Sequence, residues 1–140
     1  MTPRFETIDH TADLYLVAYG STKAEAYANA AYGLFCQIAE VAELTPTQTV
    51  AVEVCGTDPA HLLVEWLSEF LFRMEVEERI FTDAEVTEIS DTHLRGQAHA
   101  LPLADVPEEA LGTPVKAVTY HQLRIQERDG RWEIHVVLDL

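Results

Sequence analysis

The chain has 140 residues, of which 48% are hydrophobic, and its 24 Asp and Glu outnumber 9 Lys and Arg to give a formal net charge of −15. This length and apolar content suffice for a single domain over residues 1–140, folded without disulfides or a structural metal. The scarcity of basic residues argues against direct, stable nucleic-acid binding, which depends on Lys and Arg neutralising phosphates. An acidic surface favours a basic protein partner or cations instead.

Residues 1–20 lack the apolar stretch of a signal peptide, and no run approaches the roughly 18 apolar residues of a membrane span. We therefore expect a cytoplasmic protein without membrane attachment. Cys36 and Cys55 lie alone in apolar surroundings, without C-x-x-C spacing or a neighbouring His. This pattern indicates buried, reduced thiols, and neither a zinc site nor a disulfide.

The segment Asp9-His10-Thr11-Ala12-Asp13 places two carboxylates, an imidazole and a hydroxyl directly before an apolar strand over residues 14–19. In an extended chain the two Asp side chains share a face. Two like charges repel unless a cation or a basic partner lies between them, and Asp is depleted in strands. The segment is therefore either a solvated loop, for which Asp and Thr are ordinary residues, or a site.

Two helices are predicted next. The first begins at Thr22, with Glu25 completing a capping box, and the second has Asp58 as its N-cap followed by Pro59. Each carries an apolar stripe, which we interpret as packing on a sheet and not as a partner groove. We expect Leu34, Trp66 and Phe70 in the core. The two strand–turn–helix segments resemble each other at an offset of 36 residues, which suggests an internal duplication.

Strands dominate the second half of the chain. We predict strands over residues 79–90 and 93–100, an exposed loop over 101–112, and a hairpin of 115–127 with 131–138 around Asp129-Gly130. The fold class is therefore α+β, a two-layer sandwich with two helices packed on a mixed β-sheet. If the first and last strands are neighbours, Asp13 meets Asp139, which the carboxylate of Leu140 follows. An isolated acid at a chain end would otherwise simply be exposed.

Lys116 opens a strand in which Val118 and Tyr120 follow at alternate positions. A lone Lys in a strand usually protects a sheet edge from aggregation. Beside a carboxylate cluster it could instead orient an acid or meet a phosphate. Both interpretations remain open at this point.

Five segments in register resemble the archease family over nearly the whole chain. They are Asp9-His10-Thr11-Ala12-Asp13, Ala18-Tyr19-Gly20, Leu63-Val64-Glu65-Trp66-Leu67, Leu111-Gly112-Thr113 with Val115-Lys116-Ala117-Val118-Thr119-Tyr120-His121, and Leu138-Asp139-Leu140. Two features depart from the family pattern. Glu65 stands where the family often has Asp, and the loop over residues 101–110 lacks the usual Asp and His, so we assign it no role.

The resemblance implies an accessory activator, not an enzyme, for an RtcB-type RNA ligase in tRNA splicing or RNA repair. It implies that the protein promotes guanylylation and multiple turnover of that ligase. It also implies a divalent cation held by Asp13 and Asp139, with the carboxylate of Leu140 as a further donor. Asp9, His10 and Lys116 are the other functional positions that we infer.

Oxygen-only ligands select hard cations, with calcium favoured here and magnesium or manganese as alternatives. Two further functions stay open. One is a stand-alone metal-dependent hydrolase, against which the sequence offers no clear second metal cluster. The other is a chaperone or adaptor for RNA-modifying enzymes.

Overall fold

In a computed structural model of the chain, the described residues form seven strands in two sheets and two α-helices, each of which contacts both sheets. The structure describes residues 2–9 and 13–140, with Asp9 described by its backbone alone. The strands are β1 (Phe5–Asp9), β2 (Asp13–Gly20), β3 (Gln48–Cys55), β4 (Arg79–Ile89), β5 (His93–Pro102), β6 (Ala117–Arg128) and β7 (Arg131–Asp139). The helices are α1 (Lys23–Ile38) and α2 (Pro59–Val76).

The sheet order is β1-β2-β7-β6 in the larger sheet and β3-β5-β4 in the smaller. The α+β class and the packing of two helices on sheets are confirmed. The strand pairing differs in detail from one mixed sheet, because every pairing within the described residues is antiparallel. Since β2 and β3 lie in different sheets, the parallel neighbours that a strand–helix–strand connection usually produces do not form.

Local signals set the helix starts where the sequence predicts them. The hydroxyl of Thr22 accepts a hydrogen bond from the Glu25 backbone N–H at 3.1 Å, and the Asp58 carboxylate accepts one from the His61 N–H at 2.8 Å. The return bond of the first cap is shifted by one residue, because the Glu25 carboxylate accepts from the N–H of Ser21 at 3.0 Å. Both predicted N-caps are confirmed.

In both strand–helix units, the chain at the end of the strand lies very close to the backbone of the helix that follows. A Cβ at Gly56, after β3, would lie 2.6 Å from the backbone nitrogen of Leu62 in α2. Gly20, the last residue of β2, faces the backbone of Ala26 in α1 in the same way. Only glycine lets strand and helix approach so closely at either turn, which supports a duplicated unit.

The core lies between the sheets and the helices. Leu34, Trp66 and Phe70 are fully buried, as predicted. The indole N–H of Trp66 donates a hydrogen bond to the carbonyl of Tyr27 at 3.0 Å, so its polar atom is satisfied inside the core. This bond also ties α2 to α1.

Several local expectations prove wrong. Residues 101–112 are not simply an exposed loop, because Leu101 still belongs to β5. Two short 3₁₀ turns follow, and Val106 and Ala110 in this segment are buried. Cys55 is exposed and not buried, whereas Cys36 is half-buried, and both thiols are free. The cause at Cys55 is strand alternation, which turns it to the outer face of β3.

The late hairpin is confirmed at its turn. Asp129 and Gly130 have φ angles of 54° and 77°, the left-handed pair that a type I′ turn requires. Upstream in β6, Thr119 pairs with Val137 and Arg124 with His135, so residues 120–123 leave the ladder as a bulge. Neither α1 nor α2 has the length and apolar character to cross a membrane, and no other helix of the described residues does.

Candidate functional site

The two predicted cation ligands meet at one end of the larger sheet. In the antiparallel pairing of β2 with β7, Asp13 lies directly opposite Asp139. Directly opposed residues on neighbouring strands project from the same face, with Cβ atoms typically about 4.5–5.5 Å apart. The adjacency that the sequence predicted from topology is confirmed.

The apolar residues of both strands set this register. Leu14 and Leu16 of β2 are buried in the core opposite Leu138 and Val136 of β7. A slip by one residue would turn all of these side chains out to solvent, so the register is strongly determined. Because Asp13 precedes the first of these pairs, alternation sends it to the outer face.

Both carboxylates are half-buried, so each keeps access to solvent. Their opposition carries a cost, because like charges directly opposite each other destabilise a sheet. A cation between them would remove that cost. The pair is therefore chemically suited to binding a hard cation, with open positions left for water or for groups of a partner.

Lys116 lies next to Asp139, on the side of β7 opposite to Asp13. Its backbone N–H donates a hydrogen bond to the Asp139 carbonyl at 2.8 Å, and the next residue, Ala117, pairs with Asp139 across the β6–β7 ladder. Lys116 is exposed and precedes β6, so it is not a residue inside a strand. The chain thus brings Lys116, which carries an ammonium group, to the end of the sheet where the two Asp residues meet. We call this end of the sheet the carboxylate edge.

Leu140 and Asp9 border the same edge. Leu140 follows Asp139 directly, and its side chain packs against the core. Asp9 is the last residue of β1, and its backbone pairs with Leu14 of β2, the residue that follows Asp13. The side chain of Asp9, and the whole of His10, lie outside the described residues.

Among the side chains that the structure describes, in residues 2–8 and 13–140, no three of His, Cys, Asp or Glu are grouped closely enough to hold an ion. The donors that the strand pairing brings together here are the two side-chain carboxylates of Asp13 and Asp139. Oxygen donors of this kind fit calcium or magnesium, which bind carboxylates and retain water, and do not fit a closed zinc site.

A second polar cluster on the outer face was missed by sequence analysis. The hydroxyl of Tyr15, two residues from Asp13, lies 3.0 Å from Nδ1 of His135, and Nε2 of that ring is 3.5 Å from a carboxylate oxygen of Glu133. Burial, reinforced by the charge of Arg124, lowers the pKa of His135 below its ordinary value. Alternating polar residues in β2 and β7 were the available signal, but their partners depend on a pairing that the sequence does not state.

Glu65, which departs from the family pattern, lies on α2 and not on the strands that carry Asp13 and Asp139. Its carboxylate is 3.2 Å from Nε2 of His61, one turn earlier on the exposed side of α2. This is an ordinary i,i+4 helix pair.

Comparison with known proteins gives consistent matches along the chain. The model of the Archease protein family matches residues 5–140. Protein archease of Methanopyrus kandleri is 36% identical over 139 residues, covering 97% of this chain and 99% of that protein. Protein archease of Danio rerio is 29% identical over 143 residues, covering 100% of this chain and 87% of that protein.

Two solved structures resemble this one. The solution structure of Methanobacterium thermoautotrophicum protein 1598 has a TM-score of 0.79 and 32% identity, covering 98% of this chain and 99% of that one. A crystal structure described as "an archease, possible chaperone" from Thermotoga maritima has a TM-score of 0.68 and covers 96% of each chain. Its 16% identity supports the shared fold alone.

Proposed function

The chain belongs to the archease family, and we propose that it is an accessory protein that activates an RtcB-type RNA ligase through its Asp13–Asp139 edge. The observation that supports the proposal is the opposition of Asp13 and Asp139 across β2 and β7. The backbone N–H of Lys116 also donates a hydrogen bond to the backbone carbonyl of Asp139. Carboxylates held together in this way form a ready cation site at a sheet end that a partner can reach.

Within this edge each residue has a distinct proposed role. Asp13 and Asp139 would hold the cation, most favourably calcium, with the Leu140 carboxylate as a further donor and Asp9 and His10 in support. A bound divalent cation would supply positive charge for oxygen ligands such as phosphates. Lys116 would add a flexible point charge for a phosphate or an acid of the partner.

The overall charge supports a role beside the ligase and not in direct contact with RNA. With a net charge of −15, the chain would be repelled by a phosphate backbone but attracted to a basic protein. The charge therefore favours contact with the ligase, whose guanylylation the protein would promote, while the ligase itself holds the RNA. No chemical step is assigned to this chain.

Multiple-turnover RNA ligation by the cognate ligase, with and without catalytic amounts of this protein, tests the proposal. We expect ligation to continue past one turnover only when the protein is present. Equal turnover in both reactions would overturn the proposed activation. The protein alone should release no phosphate from a phosphate ester, and steady release would favour the metal-dependent hydrolase instead.

A chaperone or adaptor role is the second candidate, because the Thermotoga maritima relative is described as a "possible chaperone". The two roles differ in substrate range. A chaperone should also protect an unrelated RNA-modifying enzyme, such as an RNA methyltransferase, from heat inactivation. A specific ligase activator should have no effect on that enzyme.

A further inference from the structure

An apolar groove lies between α2 and the segment that leads into β6. Its volume is about 580 Å³. One wall is a single face of α2, and the other is extended chain. Its lining includes Ser68, Leu71, Phe72 and Glu75 on the helix, and Val115, Lys116 and Ala117 opposite.

The helix stripe that should pack on the core is incomplete at this end. From Leu62 to Phe70 the apolar residues of α2 are buried, but Leu71 is only half-buried and lines the groove. Phe72 and Val76, one turn apart, are 59% and 62% exposed. Being one turn apart on the same helix face, they form with the groove a contiguous exposed apolar patch, the kind of surface that marks an interaction site.

Charge indicates what covers this surface. Glu75 lines the groove together with Lys116, and the acidic rim continues beyond the groove in Glu77 and Glu78 at the end of α2. A second copy of the chain would bring a further net charge of −15 to this face and would be repelled. A segment with apolar side chains flanked by Lys or Arg satisfies both the apolar walls and the acidic rim.

The groove adjoins the carboxylate edge through two shared residues, although neither Asp13 nor Asp139 lines it. Lys116 and Ala117 line the groove, and the same two residues flank Asp139 through a backbone hydrogen bond and a ladder pairing. One partner can therefore occupy the groove and reach the edge together. We propose that the groove binds an apolar segment of the ligase that is flanked by basic residues, an inference that rests on the proposed function.

Two substitutions test the groove, and a third serves as a charge-matched control. Phe72→Asp places a charge where an apolar contact is expected, and Glu75→Lys reverses the acidic rim. Glu127→Lys makes the same charge change at an exposed position near the far end of β6. Thermal unfolding of each variant checks the fold, and Phe72→Ala replaces Phe72→Asp if the latter does not fold.

The measurements are the dissociation constant for the purified ligase and, separately, the concentration that gives half-maximal stimulation of ligation. We expect Phe72→Asp to weaken binding about tenfold or more, as at a central interface residue, and Glu75→Lys to weaken it less. Glu127→Lys should remain within about twofold of wild type, as expected for a charge outside the interface. Half-maximal concentrations should shift in the same order.

The outcomes separate this inference from the proposed function. If wild type stimulates the ligase and both groove variants bind as wild type does, the groove is not the docking surface, although activation stands. If the groove variants weaken binding but wild type gives no stimulation, the groove stands and activation fails. A wild-type protein that does not bind the ligase overturns both.

Discussion

At the scale of single residues, the site depends on carboxylates that the strand register holds together against their own repulsion. The register is set by buried leucines and valines in β2 and β7, not by the acids themselves. Asp13 and Asp139 are therefore free to serve a ligand, because little of the fold depends on them. Their removal should affect binding far more than stability.

Calcium should stabilise the protein through this pair. A ligand that binds only the folded state raises its stability, and relief of carboxylate repulsion adds to the effect. We expect millimolar calcium to raise the Tm of the wild type in a thermal unfolding experiment. The Asp13→Asn, Asp139→Asn double variant should lose that shift, and a shift that persists in it would place the cation elsewhere.

His135 should make stability depend on pH. Burial and the charge of Arg124 hold its folded-state pKa below the ordinary value of 6.5. The unfolded chain therefore takes up a proton as the pH falls below about 6.5 while the folded protein does not, and stability declines. Above that pH both states are neutral at this residue, so its effect disappears.

Urea unfolding of the wild type and of His135→Gln measures this effect. Gln keeps an acceptor for the Tyr15 hydroxyl but does not titrate. The variant should lose less stability than the wild type between pH 7 and pH 5. Parallel pH profiles for the two proteins would assign the dependence to other groups.

At the scale of helices and strands, the features that were predicted correctly are those that depend on local chemistry. The two N-caps, the Asp129-Gly130 turn and the apolar helix stripes involve residues within a few positions of one another. β1 was missed because Phe5–Asp9 is a short edge strand with two acids. The groove was missed because a stripe alone cannot reveal where its helix extends beyond the sheet that it packs on.

The cap of α2 offers a direct test at this scale. Asp58→Ala removes the acceptor for the His61 N–H and should cost about 0.5–2 kcal/mol in free energy of unfolding. Asp58→Asn keeps an acceptor oxygen and should remain close to wild type. Denaturant unfolding compares the two, and equal losses would mean that the negative charge matters and not the hydrogen bond.

At the scale of the whole molecule, the fold brings the start and the end of the chain together. Topological reasoning predicted this for Asp13 and Asp139, since a late hairpin can pair with an early strand. The division of the strands into two sheets, and the bulge at residues 120–123, depend on pairing between distant segments. Local sequence patterns contain no such information.

Substitution of Trp66 tests whether the core holds the two helices against the sheets. The residue is fully buried and donates a hydrogen bond to α1. Trp66→Ala should lower the free energy of unfolding by about 3–5 kcal/mol in urea titrations. A variant as stable as wild type would contradict the packing of both helices on a shared core.

Guanylylation of the ligase, followed with labelled GTP and catalytic amounts of this protein, tests the central claim most directly. The Asp13→Ala, Asp139→Ala double variant should fold normally but fail to stimulate labelling. Lys116→Ala should also be impaired, and Lys116→Arg should recover activity only in part, because a planar fork does not replace a point charge. Full stimulation by the folded double variant would contradict the assignment of this edge as the functional site.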